Sequence, residues 1–167
     1  LNETYHSVHG AVQESMHVFV SHGLDYFRTK NMRSPVSVFE VGFGTGLNAL
    51  LTLQFAVRNN VSVHYTTIET SPLSGDVLER LNYGGDDRKD FEAIHGAPWG
   101  ALVNVTTQFK LMKLRTALHE VALRNLYDVI YFDAFAPSVQ PEMWTITALE
   151  RVTAMLNEDG VFVTYSA

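Results

Sequence analysis

The chain of 167 residues contains no cysteine, which excludes disulfide bonds, thiolate nucleophiles and thiolate metal ligands together. Basic residues are also scarce, with 12 lysines and arginines against 18 acidic residues and a formal net charge of −6. Phosphate contacts need clustered lysine and arginine. A protein that holds nucleic acid by electrostatics alone is therefore disfavoured.

Long apolar runs and targeting signals are missing as well. No apolar run approaches the length of a membrane span, and the N-terminal residues lack the basic and then apolar pattern of a signal peptide. Apolar residues make up 46% of the chain and charged residues 18%, which is typical of a globular protein. We therefore expect a single globular domain in a cytoplasmic enzyme.

Residues 38–48, with the sequence VFEVGFGTGLN, form the most informative segment. Apolar and β-branched residues before Gly42 predict a buried strand, and an apolar stripe from Leu47 predicts a covered helix. Three glycines fill the turn between them. There a ligand can lie against the main chain and the free N–H groups of the helix. The pattern predicts a nucleotide-sized pocket.

Three residues narrow the choice of nucleotide. Leu47 stands where a dinucleotide fingerprint has its third glycine, so a pyrophosphate ligand is disfavoured. Glu40 precedes the glycines, and an acid there suits a ligand with a cationic amino-acid end, such as S-adenosylmethionine (SAM). Glu69 ends the predicted second strand, where a carboxylate can bind both ribose hydroxyls. A structural tight turn and a surface acid are the alternatives.

Strand and helix patterns alternate along the chain. The predicted strands cover residues 36–41, 61–68, 103–111, 127–132 and 161–165. The predicted helices cover residues 13–27, 47–55, 72–81, 116–125 and 145–156. This alternation predicts an α/β fold with a mostly parallel sheet and helices on both faces. We expect a leading segment and helix packed on the sheet at residues 1–35 and a SAM-binding core at residues 36–167.

Acidic residues stand at the ends of three predicted strands. Ligands of parallel α/β sheets bind at the carboxyl ends of the strands. Glu40, Glu69 and Asp133 all fall at such ends. We therefore expect the three carboxyl groups to face one site.

The segment after the fourth strand is the second unusual one. It reads DAFAP at residues 133–137 and PEMWT at residues 141–145. A rigid loop with exposed rings suits a flat substrate, so Phe135 could lie near the sulfonium or the acceptor and Trp144 could stack on a base. Inward packing at the start of a helix is the alternative for Trp144.

Histidines are frequent near the N-terminus. Four of them stand within the first 22 residues, but none forms a known metal-binding motif. We therefore expect no metal site.

The sequence resembles the methyltransferase domain of the MnmC family, bacterial enzymes that modify the wobble uridine of tRNA. The likeness rests on EVGFGTGLN, on DAFAP with PEMWT, and on the closing FVTYSA. The segment before Val18 also resembles the family's leading segment. The resemblance implies the three-layer, Rossmann-like fold of class I SAM-dependent methyltransferases. Compared with that class, the sequence would lack the last helix and two strands.

The resemblance also implies a reaction, methyl transfer from SAM to the exocyclic amine of 5-aminomethyl-2-thiouridine in tRNA. A partner oxidoreductase would supply the aminomethyl group. Asp133 would hold the reacting amine, with Phe135 beside it. The residues implied in cofactor binding are Glu40, Gly42, Phe43, Gly44, Thr45, Gly46, Asn48 and Glu69. The residues implied in substrate binding are Tyr5, Glu14, Pro137 and Trp144.

One feature departs from the family pattern. An acidic residue should follow the third strand and meet the adenine amino group, but residues 111–116 read LMKLRT. Two other functions therefore stay open. One is transfer of a methyl or aminopropyl group to a small amine, which the acidic charge would suit. The other is a non-catalytic SAM-binding subunit that acts through a partner.

Overall fold

The computed structural model describes residues 10–81, 88–122 and 126–165. Within these residues, six strands form one sheet in the order β3-β4-β2-β1-β5-β6. The strands are β1 Val36–Val41, β2 Val63–Ile68, β3 Leu102–Asn104, β4 Phe109–Leu114, β5 Tyr127–Phe132 and β6 Leu156–Val163. All neighbours pair in parallel except β3 with β4. The predicted α/β fold with a mostly parallel sheet is confirmed.

Helices connect the strands. They are α1, a π-helical stretch over Met16–Asp25, then α2 Tyr26–Lys30, α3 Leu47–Arg58, α4 Gly75–Arg80, α5 Arg88–Gly96 and α6 Ile146–Thr153. Short 3₁₀ turns cover Leu118–Glu120 and Pro141–Trp144. None of the described helices has both the length and the apolar character needed to cross a membrane.

The sheet separates two apolar clusters, because successive side chains of a strand point to opposite faces. On one face, Val38 packs with Leu50 of α3 and Phe91 of α5. On the other face, Phe39 packs with Val152 of α6. Strand β5, which lies between β1 and β6, is buried along its whole length. Because the sheet is buried on both faces, the carboxyl ends of its strands are held in place where the functional loops begin.

The leading helix approaches the sheet closely at Gly23. A Cβ on this residue would lie 2.9 Å from the ring of Tyr131 and 3.2 Å from the side chain of Val163. A larger residue would push α1 away from β5 and β6. The glycine therefore permits the contact that brings the N-terminal helix to this side of the sheet.

The single strand predicted at residues 103–111 is wrong, because this segment contains a hairpin. β3 ends at Asn104 and β4 begins at Phe109, in antiparallel pairing. The amide of Val105 donates to the Phe109 carbonyl and closes the turn. The turn between the strands reads VTTQ at residues 105–108, with no glycine or proline to mark it. β4 continues to Leu114, three residues beyond the predicted end.

Two predicted helices differ in extent. The helix predicted at residues 72–81 begins only at Gly75, with Ser74 as its N-cap. The helix predicted at residues 116–125 is replaced, in its described part, by the 3₁₀ turn Leu118–Glu120. Residues 123–125 lie outside the described residues.

The last predicted helix is too long and the last strand too short. α6 ends at Thr153, whereas the helix was expected to reach residue 156. β6 begins at Leu156, because this residue pairs with Tyr127 of β5. Pairing resumes between Val161 and Val129, with an irregularity between the two pairs where Asp159 adopts a φ of 63°. The predicted helix end is therefore a bulge within a strand.

Candidate functional site

A cleft of about 890 Å³ opens at the carboxyl ends of the central strands. Gly42 follows β1, Glu69 follows β2, Thr116 lies beyond β4, and Asp133 follows β5; all four line the cleft. This is the edge where ligands bind in parallel α/β sheets, and the volume suits a small-molecule ligand.

The glycine loop forms the floor of the cleft with its main chain. Gly42 and Gly44 have φ angles of 92° and 50°, which side-chain-bearing residues rarely adopt. A Cβ on Gly42 would lie 2.7 Å from the carbonyl oxygen of Asp133, so the loop touches the end of β5 there. A Cβ on Gly44 would meet nothing within 4 Å. The main chain at Gly44 is therefore open to a ligand.

The underside of the loop rests on α5. His95 Nε2 lies 3.1 Å from the carbonyl oxygen of Thr45, and a Cβ on Gly46 would come within 2.8 Å of the same nitrogen. The Phe43 ring packs on His95 and lies 5.4 Å from Lys113 Nζ. Burial lowers the pKa of Lys113 to about 8. These contacts hold the loop from below and leave its upper side to the cleft.

Glu69 connects the glycine loop with the loop after β2. Its carboxylate accepts hydrogen bonds from the amides of Gly44, at 3.1 Å, and Ser71, at 2.9 Å. The amide of Glu69 itself donates to the Leu114 carbonyl. A carboxylate has about four acceptor sites, so two remain for donors such as ribose hydroxyls.

Asp133 lies on the opposite side of the cleft. Asn48 Nδ2 donates to Asp133 Oδ2 at 2.8 Å. Burial raises the pKa of Asp133 to about 6; hydrogen bonds from Asn48 and Tyr165 lower this pKa, and the charge of Glu14 raises it. The carboxylate is therefore ionised at neutral pH, yet it accepts a proton more readily than an ordinary aspartate.

The loop after Asp133 presents one ring to the cleft and turns another inward. Phe135 is 68% exposed and lines the cleft. Trp144 packs edge-on against Phe132, with centroids 5.2 Å apart, and its Nε1 donates to the Phe135 carbonyl at 2.8 Å. The inward packing considered for Trp144 is what the structure shows.

The predicted site residues divide into two groups. The cleft is lined by Gly42, Phe43, Gly44, Thr45, Asn48, Glu69, Asp133 and Phe135. The predicted residues that are described but do not line it are Glu14, Glu40, Gly46, Pro137 and Trp144. Tyr5 lies outside the described residues. Among those described, no group of three or more histidine, aspartate or glutamate residues could hold a metal ion.

Among the lining residues that received no role from the sequence, two make contacts that shape the site. Tyr165 follows β6 and hydrogen-bonds with Asp133, and its position beyond the strand next to β5 could have indicated this. Arg151 of α6 donates to the carbonyls of Leu118, at 2.9 Å, and Val121, at 2.7 Å. No sequence pattern indicated these contacts of Arg151, which hold the loop after β4 against α6.

Comparison with known proteins supports the chemistry that the cleft suggests. Residues 100–167 match a family described as S-adenosyl-L-methionine-dependent methyltransferase. The cofactor is S-adenosyl-L-methionine. The predicted class, a SAM-dependent methyltransferase, is thus confirmed.

Curated relatives resemble the chain over nearly its whole length. The tRNA 5-methylaminomethyl-2-thiouridine biosynthesis bifunctional protein MnmC of Paraburkholderia xenovorans is 29% identical over 99% of this chain and 27% of its own length. The MnmC protein of Leptospira borgpetersenii is 25% identical over the same shares of the two chains. The predicted resemblance is confirmed. The chain spans about a quarter of the length of these relatives.

A solved structure has the same fold. The crystal structure of MNMC2 from Aquifex aeolicus superposes with a TM-score of 0.74 and is 24% identical in sequence. The match covers 94% of this chain and 51% of the other. It confirms the Rossmann-like methyltransferase architecture predicted from the sequence.

Proposed function

We propose that this chain methylates the exocyclic amine of 5-aminomethyl-2-thiouridine at the tRNA wobble position. The relatives are named for the biosynthesis of tRNA 5-methylaminomethyl-2-thiouridine, which carries one methyl group more than this substrate. The observation that carries the proposal is the Asp133 carboxylate, which Asn48 holds in the wall of a cleft with an open glycine loop.

The described residues fit the cofactor. Gly44 offers main chain without a side chain, and the Glu69 carboxylate retains acceptor sites for the two ribose hydroxyls. Thr116 and Leu118 line the cleft beyond β4 and would border the adenine ring. When bound, SAM supplies an electrophilic methyl group on its sulfonium.

Asp133 and its neighbours suit an amine acceptor. An alkylamine with a pKa of about 10 is mostly protonated at neutral pH and must lose a proton before it can attack carbon. Asp133 accepts a hydrogen bond from the amine and orients its nitrogen, and Glu14 adds negative charge that favours a cation. Positioning of the nitrogen in line with the methyl group then supplies much of the rate.

The acidic surroundings of Asp133 would also suit a free small amine. The chain's net charge of −6 supports this second candidate, transfer of a methyl or aminopropyl group to a polyamine-like substrate. A non-catalytic SAM-binding subunit is a third. In the favoured proposal, an oxidoreductase partner supplies the aminomethyl group on tRNA.

Activity on tRNA distinguishes these functions. The full-length protein is incubated with SAM and tRNA that carries the aminomethyl group, and wobble nucleosides are analysed by mass spectrometry. We expect a gain of one methyl group on this tRNA and none on tRNA without the aminomethyl group. Turnover of free amines but not of tRNA would replace the proposal with the second candidate. SAM binding without turnover of either would support the third.

A further inference from the structure

Glu40 lies beneath the cleft. Its side chain is 0% exposed and does not line the cleft wall. Neither carboxyl oxygen has a hydrogen-bond partner of ordinary geometry in the part of the chain that the structure describes. An ionised carboxylate in such a position is strongly unfavourable, whereas a neutral carboxyl group is much less so.

Burial and the charge of Asp133 favour the neutral form of Glu40. Thr67 and Tyr65 of β2 and Asn48 of α3 lie near the carboxyl group and lower its pKa. Burial and the negative charge of Asp133 act against them more strongly and raise the pKa of Glu40 to about 8. From β5, Tyr131 also faces this carboxyl group, and burial raises the pKa of its hydroxyl further above the ordinary value.

Asn48 joins Glu40 to the proposed reaction. Its amide nitrogen donates to Asp133 at 2.8 Å, and its side chain also lies beside the Glu40 carboxyl group. Two carboxyl groups on either side of one amide are not readily ionised together. The fully buried member of such a pair keeps its proton, and the member in the cleft wall carries the charge.

We propose that Glu40 is a neutral positioning residue, which keeps its proton at neutral pH, packs against Asn48 and leaves the negative charge of the pair on Asp133. It does not bind the ammonium group of the cofactor, the role that the sequence suggested. The protonation state of Glu40 does not depend on which acceptor is methylated. Only its effect on the charge of Asp133 during catalysis rests on the proposed function.

Cofactor titration separates a neutral Glu40 from an anionic ligand. Glu40→Gln keeps the shape of a protonated glutamate, and we expect its SAM affinity in calorimetry to stay within about threefold of wild type. Glu69→Gln is the matched control and should weaken binding at least about tenfold, because a ribose acceptor is lost. An equally large loss in Glu40→Gln would overturn the proposal.

Thermal unfolding tests the proton directly. The folded-state pKa of Glu40, about 8, is above its ordinary value of 4.5. The stability from its neutral form is therefore fully present below pH 4.5 and is lost as pH rises through about 8. Relative to Glu40→Gln, wild type should therefore lose Tm as pH rises from about 4.5 to about 8 and change little above that. Lys113, whose pKa burial lowers to about 8, is present in both proteins, so its contribution cancels.

Infrared spectroscopy of wild type does not depend on the variant's folding. We expect a protonated carboxyl band at pH 7 that disappears as the pH is raised to about 9. When Glu40→Gln is folded, the same band should be missing from its spectrum. No such band in wild type at neutral pH would overturn the proposal, whether or not the protein methylates tRNA.

Discussion

The two walls of the cleft are built differently. On the cofactor wall, the main-chain amide of Gly44 donates at 3.1 Å to the side-chain carboxylate of Glu69, which stands 25 residues further along the chain. The acceptor wall brings together Asn48, Asp133 and Tyr165, which stand far apart in the chain and meet through side chains. The first wall is built largely from main chain of the glycine loop, whereas the second consists of side chains that the assembled sheet brings together.

This difference predicts where substitutions act. Changes in the cofactor wall should alter stability or SAM affinity, because its main chain is part of both the loop and the ligand site. Changes in the acceptor wall should alter chemistry and leave SAM affinity intact, because Asp133 stands on a different strand end from Glu69.

The largest effect is expected for Asp133→Asn. The variant keeps the size of the side chain but removes the charge that orients the amine. We expect kcat to fall about a hundredfold to a thousandfold with little change in SAM affinity. Single-turnover methylation and calorimetry on the same full-length protein provide the measurement. Glu142→Gln, at an exposed acid in the same cleft, is the control and should have little effect. If Asp133→Asn lost SAM binding, Asp133 would have to be assigned to the cofactor wall instead.

Gly42→Ala should destabilise the fold by about 2 to 3 kcal/mol, because its Cβ would clash with a carbonyl and its φ is unfavourable. The clash is with Asp133, at 2.7 Å. Gly44→Ala is the control in the same loop, where no atom lies within 4 Å, and it should lose only about 1 kcal/mol. Its methyl group should weaken SAM binding instead. Chemical denaturation and calorimetry check both; equal losses of stability would contradict the described loop.

Glu69→Ala should weaken SAM binding by about 1.5 to 3 kcal/mol, the range for hydrogen bonds to a charged group. Part of this loss would come from the loop, since Gly44 and Ser71 lose their shared acceptor. Titration calorimetry is the measurement. Glu92→Ala, at an exposed carboxylate on α5, should leave the affinity unchanged. Unchanged affinity in Glu69→Ala would remove this residue from the site.

Trp144→Phe tests the inward packing on the acceptor side. The ring contact with Phe132 can persist, but the hydrogen bond to the Phe135 carbonyl is lost. We expect a loss of about 1 kcal/mol in unfolding free energy and no change in SAM affinity. A variant with wild-type stability but a higher KM for tRNA would instead indicate that the indole stacks on a base.

The smallest effects are expected from two neighbours of Asp133. Activity should fall as pH decreases through about 6, because this carboxyl group then takes up a proton. Removing the charge of Glu14 with Glu14→Gln should move that acid limb to lower pH. Tyr165→Phe removes a hydrogen bond that lowers the pKa, so it should move the limb to higher pH. Each shift should be less than about one pH unit. Shifts of the same sign in the pH–rate profiles would contradict the arrangement.

Local patterns were sufficient for the first half of the fold. The apolar run, three glycines and apolar helix predicted β1, the loop and α3, because their interactions are close in sequence. The sequence pattern predicted the wrong structure near residues 105 and 157. A hairpin turn and a strand bulge occur there, and both depend on pairing with neighbouring strands. Alternation of apolar and polar residues carries no information about which strand lies beside which.

By itself, the sequence determined the parallel α/β fold, the cofactor class and the position of Asp133 at a strand end. The tertiary structure placed Tyr165 beside Asp133 and decided that Trp144 packs inward. It also buried Glu40 under the loop where the sequence suggested a cofactor ligand. The physical reason is that a motif shows only which residues are close in the chain. Solvent exposure and long-range contacts decide whether a side chain is charged and which ligand it can contact.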